Sequence, residues 1–545
     1  MRALSRLDST MAKEIQPVII MPEGTQRSTG KTAQGNNIMA AKLVAETVRT
    51  TLGPKGMDKM IVDSFGDVTV TNDGVTILEE MKIEHPAAKM VVEVAKTQEA
   101  EVGDGTTTAV IIAGELLHQA EQLLDKNIHS TVISKGYRLA TAQCNRKLEE
   151  ISQPIAEKDD QLLKKIAMTA MTGKGAEAAK EVLATIAVKA VKRVGEEGNF
   201  NKENIKIEKK SGTSVDQTEL VEGVVLEKEA VHPSMPQEVD NAKIALLDCA
   251  IEIKNTEIDA KIQITDPGQM QAFLDQEEQM LLKLVDTVTA SGASVVFCQK
   301  GIDDVAQHYL AKRGIYAARR VKQSDMEALS RATGGNIVTN LHDLTEADLG
   351  KAGKVKEVKI GDDELTYVMG CKNPKAVTIV VRGGTDHIAD EAKRALTDAI
   401  GDVAASLKSG AVVAGAGSVE TELSRHIRKF AESLGGREQL AVEAFATALE
   451  VVPRTLAENA GLDPIDVITS LKSAHDRKQT WAGIDVFTGR TIDAWKQGIL
   501  EPVKIKTQAL SSASEVAQMI LRIDDVILSE KGAEAPQPDM GAMGM

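Results

Sequence analysis

The chain has 545 residues, more than one hydrophobic core usually supports, so about three or four domains are expected. A hydrophobic content of 42% with 27% charged residues describes a soluble globular protein. A formal charge of −15 and only 2% aromatic residues argue against a nucleic-acid binder, which needs cationic surface and stacking platforms. Cys144, Cys249, Cys298 and Cys371 are far apart and form no CxxC pair. They read as buried thiols in a reducing compartment, not as zinc ligands or a disulfide frame. No apolar run reaches the ~18 residues of a membrane span, and residues 1–10 lack the apolar centre of a signal peptide. A cytoplasmic protein with no membrane partner is expected, with Met1 or Met11 as its start.

Residues 1–155 read as mostly helical, with periodic apolar faces over 40–52, 87–101, 106–124 and 130–151. Short strands are expected at 59–62 and 68–71, before a turn at Asn72-Asp73-Gly74 that has hairpin chemistry. Residues 156–217 are charged and helical, broken at Thr172-Gly173-Lys174-Gly175, with a strand near 205–209. From 218 to 373 strand–helix alternation argues for an α/β domain. Its strand candidates are 245–253, 293–299, 315–321 and 336–340. Asp266-Pro267 is a helix start, and Ser324-Asp325-Met326-Glu327 reads as a capping box. The charged stretch 254–284 is too long for a simple crossover and is expected to project. A strand at 376–381 and a helix at 386–407 occupy the segment 374–408. A helical pattern resembling the beginning fills 409–531, and 532–545 is a Gly, Ala, Pro and Met tail expected to be disordered. Helical ends around an α/β insertion suggest that both ends form one discontinuous domain.

Gly103-Asp104-Gly105-Thr106-Thr107-Thr108 opens an apolar helix. Two readings fit: an Asp N-cap in a glycine-rich turn, or a phosphate cradle at a helix N-terminus. In the second reading Asp104 would repel bare phosphate unless Mg²⁺ lay between them. GTQRSTGKT (24–32) imitates a P-loop, but five residues rather than four separate Gly24 from Gly30. Thr51-Leu52-Gly53-Pro54 has the form of an ordinary helix stop.

The motifs TLGPKGMDK (51–59), TNDGVTIL (71–78), GDGTTTAV (103–110), RGGTD (382–386), GREQLAVEAF (436–445), RTLAENAG (454–461) and RIDDVI (522–527) together resemble a chaperonin subunit of the group II, archaeal branch. The resemblance spans the chain in order apart from the first dozen or so residues. It implies a chaperonin fold, multi-domain α and α/β. A mostly helical equatorial ATPase domain comes from 1–155 and 409–531, an intermediate hinge domain from 156–217 and 374–408, and a substrate-binding apical domain from 218–373, with a lid protrusion at about 254–284.

Carried over by motif, Thr51, Leu52, Gly53 and Pro54 wrap the nucleotide phosphates. Asp104 is the Mg²⁺ ligand, and Gly105, Thr106, Thr107 and Thr108 form the phosphate-binding helix start. Gly415 and Gly417 lie near ribose and base, where this chain has Ala416 instead of a third glycine, and Asp485 and Glu501 contact adenosine. Asp398 orients the attacking water, with Asp73 as a second carboxylate at the γ-phosphate. Lys174 senses that phosphate, unless it is a surface lysine between glycines. The implied activity is a double ring, of eight or nine subunits per ring and of one or several subunit types. It encloses non-native polypeptides on ATP hydrolysis and promotes their folding. A small-molecule kinase would need an acceptor site, which is not evident. A ring scaffold without turnover would not need Asp73, Asp104 and Asp398 together.

Overall fold

A computed structural model describes residues 26–175, 177–195, 200–253, 267–360, 363–372 and 374–528. Residues 532–545, the candidate start sites, Asp266 and the 254–266 part of the expected projection lie outside them. The four cysteines form no disulfide with one another, and Cys144, Cys298 and Cys371 are buried.

The largest core is helical and is built from both ends of the chain. Gly30–Arg49, Pro86–Glu101, Thr106–Asp125 and Ser130–Ile151 pack with Ser418–Glu432, Arg437–Leu449 and Val503–Leu521. The helix at Thr106–Asp125 runs through the centre, and all its residues from Thr108 to Leu117 are buried. Gly114 lets it touch the first helix, because a Cβ there would collide with Ala45. The first helix begins at Gly30, earlier than its apolar periodicity suggests. Just before it, Gln26–Thr29 pairs antiparallel with Asp525–Leu528, so the described part of the P-loop imitation is a strand running into the first helix, and RIDDVI ends in its partner. The helical reading of that last stretch was therefore wrong, and short strands also occur at Ala411–Ala414, Ala482–Ile484, Thr491–Asp493 and Leu500–Pro502.

A second core joins the helices Asp160–Ala170, Lys180–Val194 and Asp386–Ser409. They lie on a sheet in which Val377–Gly383 is flanked by Ile205–Ser211, parallel, and Glu219–Val221, antiparallel. Ile155, Val412 and Leu500 belong to this core, so its base grips the strands next to the helical body.

The third region is a seven-stranded sheet with a core on each face. Glu238–Leu247 lies between a parallel half, through Val295–Cys298 to Tyr316–Ala318, and an antiparallel half, through Gly350–Ile360 and Asp363–Met369 to Gly223–Leu226. Val295–Cys298 is buried on both faces, as continuous apolar strands are. The capping box at Ser324 does not form: the helix begins at Gln323, and Asp325 instead pairs with Lys206 at 2.7 Å. Pro267–Ala290 is one long helix that leaves Phe273 and Leu274 exposed.

Candidate nucleotide site

A cavity of about 720 Å³ opens where the helical body meets the second core. One end is the N-terminus of Thr106–Asp125. Gly105 takes φ 78°, so the chain turns sharply into the helix and its first N–H groups face the cavity. Gly74 approaches closely, since a Cβ there would lie 2.6 Å from Thr107 Oγ1. Asn72-Asp73-Gly74 is no hairpin turn: Asp73 N-caps the helix Gly74–Glu80, its carboxylate accepting from Thr76 N at 2.9 Å and Thr76 Oγ1 at 2.7 Å. The hairpin turns earlier, between Lys59–Val62 and Val68–Thr71. Thr51, Leu52, Gly53 and Pro54 form the adjoining wall. That loop meets the Gly173 turn, where a Cβ would stand 2.7 Å from Pro54 Cα, and Asn72 Nδ2 donates to Gly173 O at 2.9 Å.

Lys174 therefore stands inside the site, not on the surface. Its ammonium pairs with Asp398 and lies 3.7 Å from Asp104 Oδ1. Burial opposes that charge, but Asp398, Asp104 and Asp73 outweigh it, and the lysine pKa is raised. Asp398 does not line the cavity; it is buried behind Lys174 and reaches the site through it. Burial raises its pKa well above the ordinary value against the pull of Lys174, with Asp104 and Asp73 adding to the rise. Glu99 beside them is pushed up to about 7, mainly by burial and then by Asp73 and Asp104. The helix carrying Asp398 is docked on the Asp104 loop through Gly401, where a Cβ would stand 2.7 Å from Val102 O.

At the other end Gly417, at φ 71°, starts the helix Ser418–Glu432. Ala416 holds φ 58° without glycine's freedom, and Gly483 lies against it: a Cβ there would be 2.9 Å from both Ala416 Cβ and Ala416 O. The Ala416 methyl is thus accommodated by a missing side chain on the neighbouring strand. Asp485 lines the cavity, but its carboxylate is engaged by Phe487 N at 2.9 Å and Thr488 Oγ1 at 2.6 Å. It shapes its own turn instead of offering a free carboxylate to the cavity. Glu501 faces the cavity, whereas Gly415 lies behind it, off the cavity wall.

Sequence reading missed Gln98, whose Nε2 donates to Asp104 O at 2.8 Å and holds the loop. It also missed Lys506 and the helix face of Lys165 and Met168, which line the cavity, and the off-wall carboxyls of Glu99 and Asp402, which the Asp104 charge reaches. None carries a local signal: each is one polar or sulfur-bearing residue on an otherwise regular helix. Among the described residues no three His, Cys, Asp or Glu side chains converge as a metal site, and no helix is long and apolar enough to cross a membrane.

A glycine-framed helix start with Asp104, Asp73 and Lys174 around it, at one end of a cavity of about 720 Å³, suits a nucleoside-triphosphate hydrolase. The comparisons agree. The model of the TCP-1/cpn60 chaperonin family matches residues 44–531. The chain is 60% identical over 534 residues to thermosome subunit beta of Archaeoglobus fulgidus, covering 97% of this chain and 98% of the relative. It is 62% identical over 525 residues to a thermosome subunit of Methanopyrus kandleri, covering 96% of each. An open-state monomer of a group II chaperonin from Methanococcoides burtonii matches at 48% identity and a TM-score of 0.59, over 77% of this chain and 100% of that one. The chain belongs to the TCP-1/cpn60 chaperonin family, in its group II branch. It is an ATP-dependent chaperonin, an ATPase that couples hydrolysis to protein folding.

Proposed function

We propose that the cavity binds ATP with Mg²⁺ and that its hydrolysis drives closure of a cytoplasmic double ring, of eight or nine subunits per ring, around non-native polypeptides. The observation that carries this reading is the Lys174 bridge. It ties Asp398, on a helix of the second core, to Asp104, on the loop of the helical body. The hinge and the phosphate end are thereby one electrostatic unit.

In this reading 1–155 and 409–531 form the equatorial domain, 156–217 and 374–408 the intermediate domain, and 218–373 the apical domain, with a lid at about 254–284. Thr51 to Pro54 and the N–H groups at Thr106, Thr107 and Thr108 hold the phosphates, while Gly417, the Asp485 turn and Glu501 enclose the nucleoside. Mg²⁺ is usually held by one or two carboxylates together with substrate phosphates, and Asp104, facing the same cavity as the helix start, fits that donor set. When bound it neutralises phosphate charge. Lys174 meets the γ-phosphate, and Asp398 and Asp73 orient water for attack on it by accepting its hydrogens. Such catalysis is mostly positioning and charge neutralisation.

Phosphate release measured beside electron microscopy of the assembled particle tests the proposal. Rings that hydrolyse ATP and close on doing so are expected. A monomer, or rings without turnover, would overturn it.

A further inference from the structure

Glu501 enters the cavity from Leu500–Pro502, and it does not stand alone. Its Oε2 lies 2.5 Å from Lys506 Nζ, and the same ammonium lies 2.9 Å from Glu420 Oε1. The three side chains are 20%, 7% and 3% exposed, so the ion triad is taken almost wholly out of water. On its other side Glu501 is closed in by Gly415, since a Cβ there would collide with Oε1. The second oxygen of Glu420 is buried with no hydrogen-bond partner.

This arrangement is a poor way to gain stability. Burying a charged triad carries a desolvation penalty that its own attraction barely offsets, and apolar packing of the same volume usually does as well or better. What it does fix is direction. The three residues come from one short strand and the starts of two helices, Ser418–Glu432 and Val503–Leu521. Glu501 is held between an ammonium and a glycine face with its cavity side free.

We infer that Lys506, shared with Glu420, is a positioning residue that fixes Glu501 as a carboxylate acceptor for the ribose hydroxyls of the nucleotide, and so sets the preference for ribose over deoxyribose. Hydrogen bonds from hydroxyls to a charged acceptor are strong, and a site built for them rejects ligands that lack them. A carboxylate free to rotate would follow the remaining hydroxyl and lose that discrimination. The inference rests on the reading of this cavity as the ATP site with Glu501 at the sugar.

Calorimetry of the assembled chaperonin with ADP, 2′-deoxyADP and 3′-deoxyADP tests it. The unmodified protein is expected to bind at least one deoxy analogue on the order of tenfold more weakly than ADP. In Lys506→Met that penalty should shrink to about threefold or less, on the scale of a weakened charged hydrogen bond. The double variant K506M/E420Q keeps the triad's net charge at −1, which favours folding, and the penalty should shrink there too. Variants that bind ADP and keep the full penalty would overturn the inference. No penalty in the unmodified protein would overturn the placement of Glu501 at the sugar, and the inference with it. No ADP binding in the unmodified protein would instead overturn the reading of the cavity.

Discussion

Asp398 lies on the helix Asp386–Ser409, where its neighbours Leu396, Ala399 and Ile400 are all core. A carboxylate buried 93% among such residues, with one ammonium as partner, is poorly explained by stability alone. Asp398→Ala should therefore leave ATP binding nearly intact and lower turnover by a factor on the order of 10² or more. Single-turnover hydrolysis beside nucleotide titration separates the two effects, and wild-type turnover would refute the role. Ala416 is the opposite case, a residue whose backbone conformation suits glycine better. Ala416→Gly should raise unfolding free energy by about 0.5–1 kcal/mol, because relief of the left-handed strain exceeds the added entropy of the unfolded chain. Denaturant titration checks it, and a destabilised variant would show that the methyl packing against Gly483 matters more. Asp398 was legible only through its family motif, since a lone Asp in RALTDAI looks like an exposed helix position.

At the scale of elements, turn chemistry and periodicity worked where a segment has one face to bury. Ser130–Ile151, with its apolar stripe, has the bounds its sequence implied. They failed where tertiary pairing decides. Gly350–Ile360 is lysine-rich and alternates buried and exposed residues, and it owes its strand state to partners on both edges, Glu238–Leu247 and Asp363–Met369. The expected hairpin turn at Asn72-Asp73-Gly74 became an N-cap because a helix, not a strand, follows it. The docking of the Asp398 helix rests on a glycine that sequence reading passed over. Gly401→Ala would place a methyl 2.7 Å from Val102 O, a backbone atom that has to shift. The helix should then move away from the Asp104 loop. A displacement near 1 Å at a catalytic carboxylate lowers turnover by about 10²-fold. Steady-state kinetics should show reduced kcat with nucleotide affinity little changed, and a normal kcat would mean that the helix does not rely on this contact.

For the molecule as a whole, the sequence revealed the division into helical ends and an α/β centre, because composition shifts are additive along a chain. It did not reveal how the ends are joined. Gln26–Thr29 and Asp525–Leu528 pair by backbone hydrogen bonds, which leave little trace in side-chain pattern. The cavity is the second stitch: its wall takes residues from Thr51 to Lys506, so a ligand filling it bridges segments that are distant in sequence. Binding to the folded form alone stabilises it by RT ln(1 + [L]/Kd), about 2.7 kcal/mol at a hundredfold excess over Kd. Mg-ADP should therefore raise the melting temperature of the helical body, and EDTA should remove much of that gain. Asp104→Ala should bring the Mg-ADP shift down to the level seen with ADP and EDTA, because Asp104, in the loop that opens this helix, offers its carboxylate to the cavity beside the helix start. Scanning calorimetry with ADP, with and without Mg²⁺, measures all these shifts on one assembly. An undiminished Mg-dependent shift in that variant would remove Asp104 as the metal ligand while leaving the phosphate-binding helix start in place.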